Sequence, residues 1–347
     1  MHVFDYSFLK NEVPSSFLGL CSIIYDLKAK GEIRKNENSA VYEELRKIAI
    51  IDSIESSNAI EGIVTTRDRI QGIVDEEYKP LSHDEQEILG YKKVLEEVYK
   101  NYEEIDFNED LLKHFHELML QAVTKDAGKY KRDNNFIQER DENGRIKVRF
   151  VPVKAKDTSE AMEQLFLAYY EARQDEEIND LLLSFCFVVD LLCIHCFRDG
   201  NGRVSRLVTT LLLLKSGFDI GKYISIEKKI NEYKYGYYDA LAQSSEGWHE
   251  NKNSYIPFMT YMLQILYYCY KEMDEKYIEN EVSKVKKGEQ IEIAMMNTFV
   301  PISKEEICYR FPNISVSTVE RTLSKLQKEG KIVKIGTFRN ARYKRKG

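Results

Sequence analysis

The stretch DLLLSFCFVVDLLCIHCFRDGNGRVSR, residues 180–206, runs from an apolar helix into a polar loop and out into a second helix. Asp180–Ile194 is apolar nearly all round, the mark of a helix buried at the centre of a bundle. The loop HCFRDGNG follows, and helical text resumes over Arg203–Ser216, where Gly217 ends it. A chain organised around such a pair is expected to be mainly α.

Toward the start of the chain, Ser15–Lys30, Asn38–Ile60 and Asp84–Tyr102 read as helices separated by polar turns. In the second, Val41, Leu45, Ile48, Ile51 and Ile54 fall at helical spacing, and Gly62 stops it without strain. Another amphipathic helix, LLKHFHELMLQAV, follows Asp110. The period then changes. In FIQERDENGRIKVRFVP, Ile146, Val148 and Phe150 alternate with Lys147 and Arg149, and Asn143-Gly144 separates two short runs, which predicts a β-hairpin. Ser159–Arg173, Asn231–Ala242 and Tyr255–Lys276 are helical again, whereas residues 281–292 are charged and weakly apolar and read as a linker or the exposed end of a long helix. The tail gives a helix Ser303–Phe311, a helix Ser315–Gly330, and two strands, IVKIG and ARYKR, around a turn at Gly336–Asn340. That is the pattern of a winged helix-turn-helix. The expected domains are 1–105, an N-terminal helical region; 106–280, the core; 281–292, a linker; and 293–347, a winged-helix domain.

The 347 residues suit two or three domains, and 43% hydrophobic with 31% charged residues and only 6 Pro excludes disorder and collagen. The start MHVFDYSFLK lacks the basic and apolar regions of a secretory signal, and no window of 18 residues is uncharged and apolar, so no membrane span is expected. Four of the six cysteines lie in apolar helical text, where a free thiol acts as a small hydrophobe, so a reduced, cytoplasmic protein is expected. From Ser303 to Gly347 there are twelve Lys and Arg against four Asp and Glu, a balance of +8 in a chain whose total is −6. The tail therefore presents a different surface, suited to DNA or to an acidic protein partner.

The chemistry concentrates at His195–Arg206. Asn201 and Gly202 precede a helix, whose N-terminus and loop amides form a nest for anions, and Gly200 and Gly202 let a polyanion approach the backbone without meeting a Cβ. Arg203 and Arg206, at i and i+3, present planar heads suited to phosphate. Asp199 is placed to hold Mg²⁺ bridging phosphates, and His195, at the end of a rigid helix, is a base aimed at the same spot. Together these groups describe transfer of a nucleotide or phosphoryl group to a hydroxyl.

The string His195-Cys-Phe-Arg-Asp-Gly-Asn-Gly-Arg-Val-Ser-Arg206 resembles the Fic family motif H-P-F-x-[DE]-G-N-[GK]-R-x-x-R at every position except Cys196, where the family usually has Pro. The resemblance implies a Fic-type helical bundle and transfer of AMP from MgATP to a protein hydroxyl. It implies His195 as the base, Asp199 as the Mg²⁺ ligand, and Gly200, Asn201 and Gly202 as the phosphate nest. Arg203 becomes a phosphate ligand and Arg206 the γ-phosphate ligand. Ser57-Asn-Ala-Ile-Glu61-Gly62 resembles the family's inhibitory motif [ST]-x-x-x-E-[GN], which implies that Glu61 competes with the γ-phosphate for Arg206. The hairpin stands where Fic proteins carry the flap that docks a target segment as an added strand. INEYKYGYYDAL resembles the adenosine-side helix, with Tyr238 the nucleotide contact. Homodimers are common in that family.

Other readings of the same residues weigh less. His114 and His116 are i, i+2 on a helix and point apart, so they do not make a zinc pair. GNG followed by RVSR lacks the Gly-Lys-[Ser/Thr] ending of a P-loop. Two alternatives to AMP transfer stay open: a nucleotide-sensing transcriptional regulator acting through the winged helix, and a hydrolase that removes AMP, with Glu61 orienting water.

Overall fold

The computed structural model describes residues 2–37, 39–140, 146–284, 286–298, 300–336 and 341–346, and the chain divides into two compact units, Met1–Asp274 and Glu275–Gly347. Among the described residues the first holds the α-helices α1 (Ser15–Glu37), α2 (Ser39–Ile60), α3 (Arg67–Val74), α4 (His83–Asn101), α5 (Glu109–Leu120), α6 (Thr158–Arg173), α7 (Asp180–Ile194), α8 (Asn201–Lys215), α9 (Ile226–Glu232), α10 (Lys234–Ser245) and α11 (Ile256–Lys284), which continues into the second unit. A hairpin of β1 (Ile137–Arg140) and β2 (Ile146–Phe150) lies between α5 and α6. The fold is mainly α.

Helix α7 is the axis. Its thirteen residues other than Asp180 and Leu192 are buried, and it packs against α6, α8 and α10. Burying that many Leu, Phe and Val side chains, at about 1.5–3 kcal/mol each, fixes the helix and whatever stands at its end. Asn179 caps its start by accepting from the Leu181 and Leu182 amides. One carboxyl lies inside this core: Asp190 accepts from the Tyr6 hydroxyl at 2.8 Å, the Trp248 indole at 2.7 Å and the Tyr255 hydroxyl at 3.0 Å. Burial pushes it up to about 7 despite those donors.

Helix α2 packs on α9, α4 and α8, and ends in a Schellman turn. Gly62 is left-handed (φ 82°), its N–H donates to Ala59 O, and the Ile63 N–H donates to Asn58 O. Glu61 is thereby held as the last residue before the turn. The hairpin pairs Arg140 with Ile146 and Ile137 with Phe150, with an irregularity between Ile137 and Gln138. Its expected Asn143-Gly144 turn lies outside the described residues. Where one helix was expected over Asn231–Ala242 there are two, because the backbone leaves helical geometry at Tyr233 (φ −109°, ψ 33°).

The second unit continues with α12 (Lys287–Met296), β3 (Ile302–Ser303), α13 (Lys304–Arg310), α14 (Val316–Lys328), β4 (Ile332–Ile335) and β5 (Arg342–Arg345). The strands form an antiparallel sheet in the order β3-β5-β4, and Ser303 and Glu306 make a capping box at the start of α13. Across residues 281–292, α11 runs on to Lys284, the end of a long helix, and α12 sends Ile291 and Met295 into one core with Ile307, Val319, Leu323 and Leu326. Two apolar residues four apart suffice for that, and the charges around them masked the face. No helix among the described residues is long and apolar enough to cross a membrane.

Candidate active site

Helix α7 stops at His195, whose N–H still donates to Leu191 O while its own backbone turns left-handed (φ 51°, ψ 58°). A non-glycine residue pays roughly 1–2 kcal/mol for that conformation. The imidazole Nδ1 lies 3.3 Å from Leu192 O. A carbonyl only accepts, so Nδ1 carries the proton and Nε2 keeps its lone pair. Burial pushes the ring down to about 4, so it is neutral near pH 7. His195 opens on a cavity of about 550 Å³ whose wall also includes Glu61, Gly202, Arg206, Tyr237 and Tyr238.

Asn201 closes the loop between the helices: its Oδ1 accepts from the Phe197 amide at 2.9 Å and its Nδ2 donates to Phe197 O at 2.8 Å. The side chain is therefore engaged with the loop rather than offered to a ligand. Gly200 caps α8 with φ 75°, and a Cβ there would stand 3.0 Å from Leu120 Cδ1, so both backbone and space call for glycine. Helix α8 begins at Asn201, two residues before the expected Arg203.

Arg206 is 3% exposed and reaches α2, donating from Nε to Ser57 Oγ at 2.9 Å, and from Nη2 to Ser57 O at 2.9 Å and Glu61 Oε1 at 2.7 Å. Burial is the largest single influence and works against its charge, but the Glu61 carboxylate, together with Tyr237 and Tyr91, raises the guanidinium above its ordinary value. Glu61 is a third exposed and also lies against Gly202, where a Cβ would come within 2.2 Å of Oε1. Ser57 and Glu61 thus meet Arg206 across up to 149 positions of sequence, with Gly62 turning the chain just after them.

The other expected residues do not converge there. The Arg203 guanidinium, 1% exposed, is ion-paired with Glu87 of α4 at 2.6 Å, and its Nε and Nη1 have no aligned acceptor. Three residues along a helix turn a side chain by about 60°, enough to send one arginine to α4 and the other to α2. Asp199 lines a separate cavity with His83, Glu87, His116 and Arg198, and its Oδ1 accepts from the Gly200 amide at 2.6 Å. No three His, Cys, Asp or Glu side chains among the described residues are arranged to hold a metal ion. The single Asp199 carboxylate nonetheless fits Mg²⁺ that arrives with phosphate oxygens and water as its remaining ligands.

Sequence reading missed the flap side of the cavity, where Gln138, Arg149 and Phe150 line it and the Arg149 guanidinium lies 5.8 Å from the centre of the Tyr238 ring. The alternation along β2 was the signal that could have found Arg149. It also passed over the spacing Cys193-Ile-His-Cys196; both thiols are buried and free, and burial raises them, which leaves them unreactive.

With this geometry in hand, likeness to known proteins is specific. Residues 106–213 match the Fic/DOC family. A protein adenylyltransferase Fic of Nematostella vectensis is 25% identical over 211 residues, which are 58% of this chain and 44% of that one, so the match spans less than half of the relative's length. Among solved structures, a Fic family protein from Desulfovibrio desulfuricans superposes over 97% of this chain and 98% of its own, with TM-score 0.63 at 19% identity. A Fic domain containing signaling protein from Bacteroides thetaiotaomicron covers 74% of this chain and 98% of its own, with TM-score 0.60 at 17% identity. At such identities the structures speak for the fold, and the family match speaks for residues 106–213, the stretch that contains the His195–Arg206 motif.

Proposed function

We propose that the protein transfers AMP from ATP to a hydroxyl side chain of a protein, itself included, and that Glu61 holds this activity down. The observation that carries the reading is the Glu61–Arg206 ion pair at 2.7 Å in the cavity that His195 lines. A neutral imidazole with a free Nε2 takes the proton of the attacking hydroxyl. The hydroxyl oxygen forms a bond to the α-phosphorus, the bond to the β-phosphate bridge breaks, and pyrophosphate leaves. The start of α8 receives the phosphates, with Arg206 as the group for the γ-phosphate once Glu61 has left it. Mg²⁺ bound through Asp199 would neutralise charge on the phosphate chain. Tyr238 would flank the base, and the β1–β2 flap would take the target segment as an added strand.

The test is incubation of the protein and of its Glu61→Gly form with MgATP, followed by mass spectrometry for an added AMP and its site. Self-modification stronger in the variant supports the reading. Loss in the variant of both transfer and AMP hydrolysis would make Glu61 the water-orienting residue of the reverse reaction. For residues 293–347 we propose a winged helix, whose exposed Arg321, Lys325 and Lys328 on α14 suit an acidic partner, DNA first.

A further inference from the structure

Four consecutive carbonyls at the end of α7 and in the loop after it, those of residues 194–197, are taken by donors from one short segment of chain. Ile194 O accepts from Lys131 Nζ at 3.0 Å, Cys196 O from the Lys131 amide at 2.9 Å, and His195 O and Phe197 O from Asn135 Nδ2 at 3.4 and 3.1 Å. Lys131 Nζ also donates to Asn135 Oδ1 at 2.8 Å, which ties the two donors together. On the far side, His116 accepts from the Gly128 amide at Nδ1, so its Nε2 carries the proton and donates to Asp199 O at 3.1 Å, and its ring stacks on Phe197 at 3.9 Å.

Lys131 is 5% exposed and has no carboxylate partner among the described residues. A buried ammonium without a counter-charge is costly unless something replaces water. Here the replacement is the carbonyl end of α7, where the helix dipole favours a cation. His195 adds a second demand, because a left-handed non-glycine backbone persists only where its surroundings over-determine it. Both demands are met by the same contacts.

We infer that Lys131 and Asn135 are positioning residues, which hold the His195 backbone in its left-handed turn and so set the imidazole against the phosphate-receiving end of α8. The inference rests on the nucleotidyl-transfer reading of the site. It assigns work to a segment, residues 128–135, that contacts no reacting atom. Burial pushes the Lys131 ammonium down to about 8, which leaves it charged at neutral pH and lets it discharge just above. Of the groups around it, His195 is pushed down to about 4 and Cys196 up to about 12, both far from that range; Asp126, Asp133, Lys129, Arg132 and Arg198 line the adjoining cavity.

The full-length Glu61→Gly protein supplies the background, with kcat and KM for AMP transfer measured beside the calorimetric Kd for MgATP. Lys131→Met should lower kcat about tenfold or more while Kd for ATP moves less than about threefold, because the arginines and the start of α8 are untouched. Lys131→Arg should restore kcat and, being charged at every pH, should remove a decline in transfer above about pH 8. If Lys131→Met fails to fold, Asn135→Ala decides, with the same split between kcat and Kd expected. Unchanged kcat in the folded variants, or an alkaline decline that survives in Lys131→Arg, overturns the inference while leaving the site's function standing. A Glu61→Gly protein that binds no ATP overturns both together.

Discussion

Helix α2 and helix α14 both lie outside residues 106–213, and they differ in what they bury: α2 carries five polar residues inward beside apolar ones such as Leu45, Ile51 and Ile54, whereas α14 buries almost only apolar groups. The inward face of α2 carries Asp52, Ser53, Ser56, Ser57 and Asn58, and three of them have partners on other elements: Ser53 with Ser225, Asp52 with Lys228 at 2.8 Å, Ser57 with Arg206. The inward face of α14 is Val319, Leu323 and Leu326 with one threonine, and its charged residues face water. A helix that spends its buried face on hydrogen bonds gains less from burial and more from specific partners. One that buries only apolar groups is scaffold, and its function is on its exposed side. The difference teaches that α2 belongs to the site it touches, whereas α14 serves a surface.

The comparison breaks first if the site that α2 touches does no chemistry. His195→Ala should lower transfer by about 10²–10⁴-fold with ATP affinity largely kept, measured by labelled AMP incorporation and calorimetry. Next comes the contact itself. Glu61→Gly should raise transfer roughly ten- to a hundredfold, in line with about 1.5–3 kcal/mol for a charge-assisted hydrogen bond. Arg206→Ala should lower it, and the double variant should behave like Arg206→Ala, since a blocker without its target blocks nothing. The α14 side is sharpened by Lys325→Ala with Lys328→Ala. In a gel shift of the full chain with duplex DNA this pair should weaken binding severalfold at low salt and reduce the salt dependence by about two counterions. No shift by the parent protein at low salt would leave a protein partner for that face.

The smallest expected effect is on acid stability. Burial pushes His2, His116 and His195 down to about 4 from 6.5, so below pH 6.5 the unfolded chain takes up protons that the folded chain refuses. Asp190, up at about 7, is already protonated in the folded state there and opposes one of the three. The net sign is loss of stability as pH falls from 6.5 to 4. The single Trp, Trp248, donates to Asp190, so its fluorescence should show the Met1–Asp274 unit melting at lower temperature at pH 4.5 than at pH 7. An unchanged melting temperature would mean that these histidines protonate inside the fold.

Much of this was legible in the sequence because it is local. Asp180–Ile194 is helical over the expected residues, since thirteen apolar or small side chains interrupted only by Asp190 leave one period to choose. The loop after it is carried by glycines at fixed places. What was not legible depends on direction. Nothing in Arg203 and Arg206 says that one turns to Glu87 and the other to Glu61, because helix packing decides that. The role of Lys131 is invisible in a text where lysine is common, as its meaning comes from burial beside the end of α7. Residues 287–296 failed for the reverse reason: two apolar residues among charges are a weak signal until a partner core is present.

The missing side chain at Gly202 gives the site a property of its own. Glu61 Oε1 stands where a methyl on residue 202 would have to go, and on the function proposed above that one vacancy serves the carboxylate first and a phosphate afterwards. The two guests exclude each other through the same few cubic ångströms as well as through the shared arginine. An alanine at 202 would evict the carboxylate, whose side chain is free to swing away, and would also narrow the bed for nucleotide. On that proposed function, the protein would be released from restraint at residue 61, whereas at residue 202 a single methyl group would damage restraint and catalysis together.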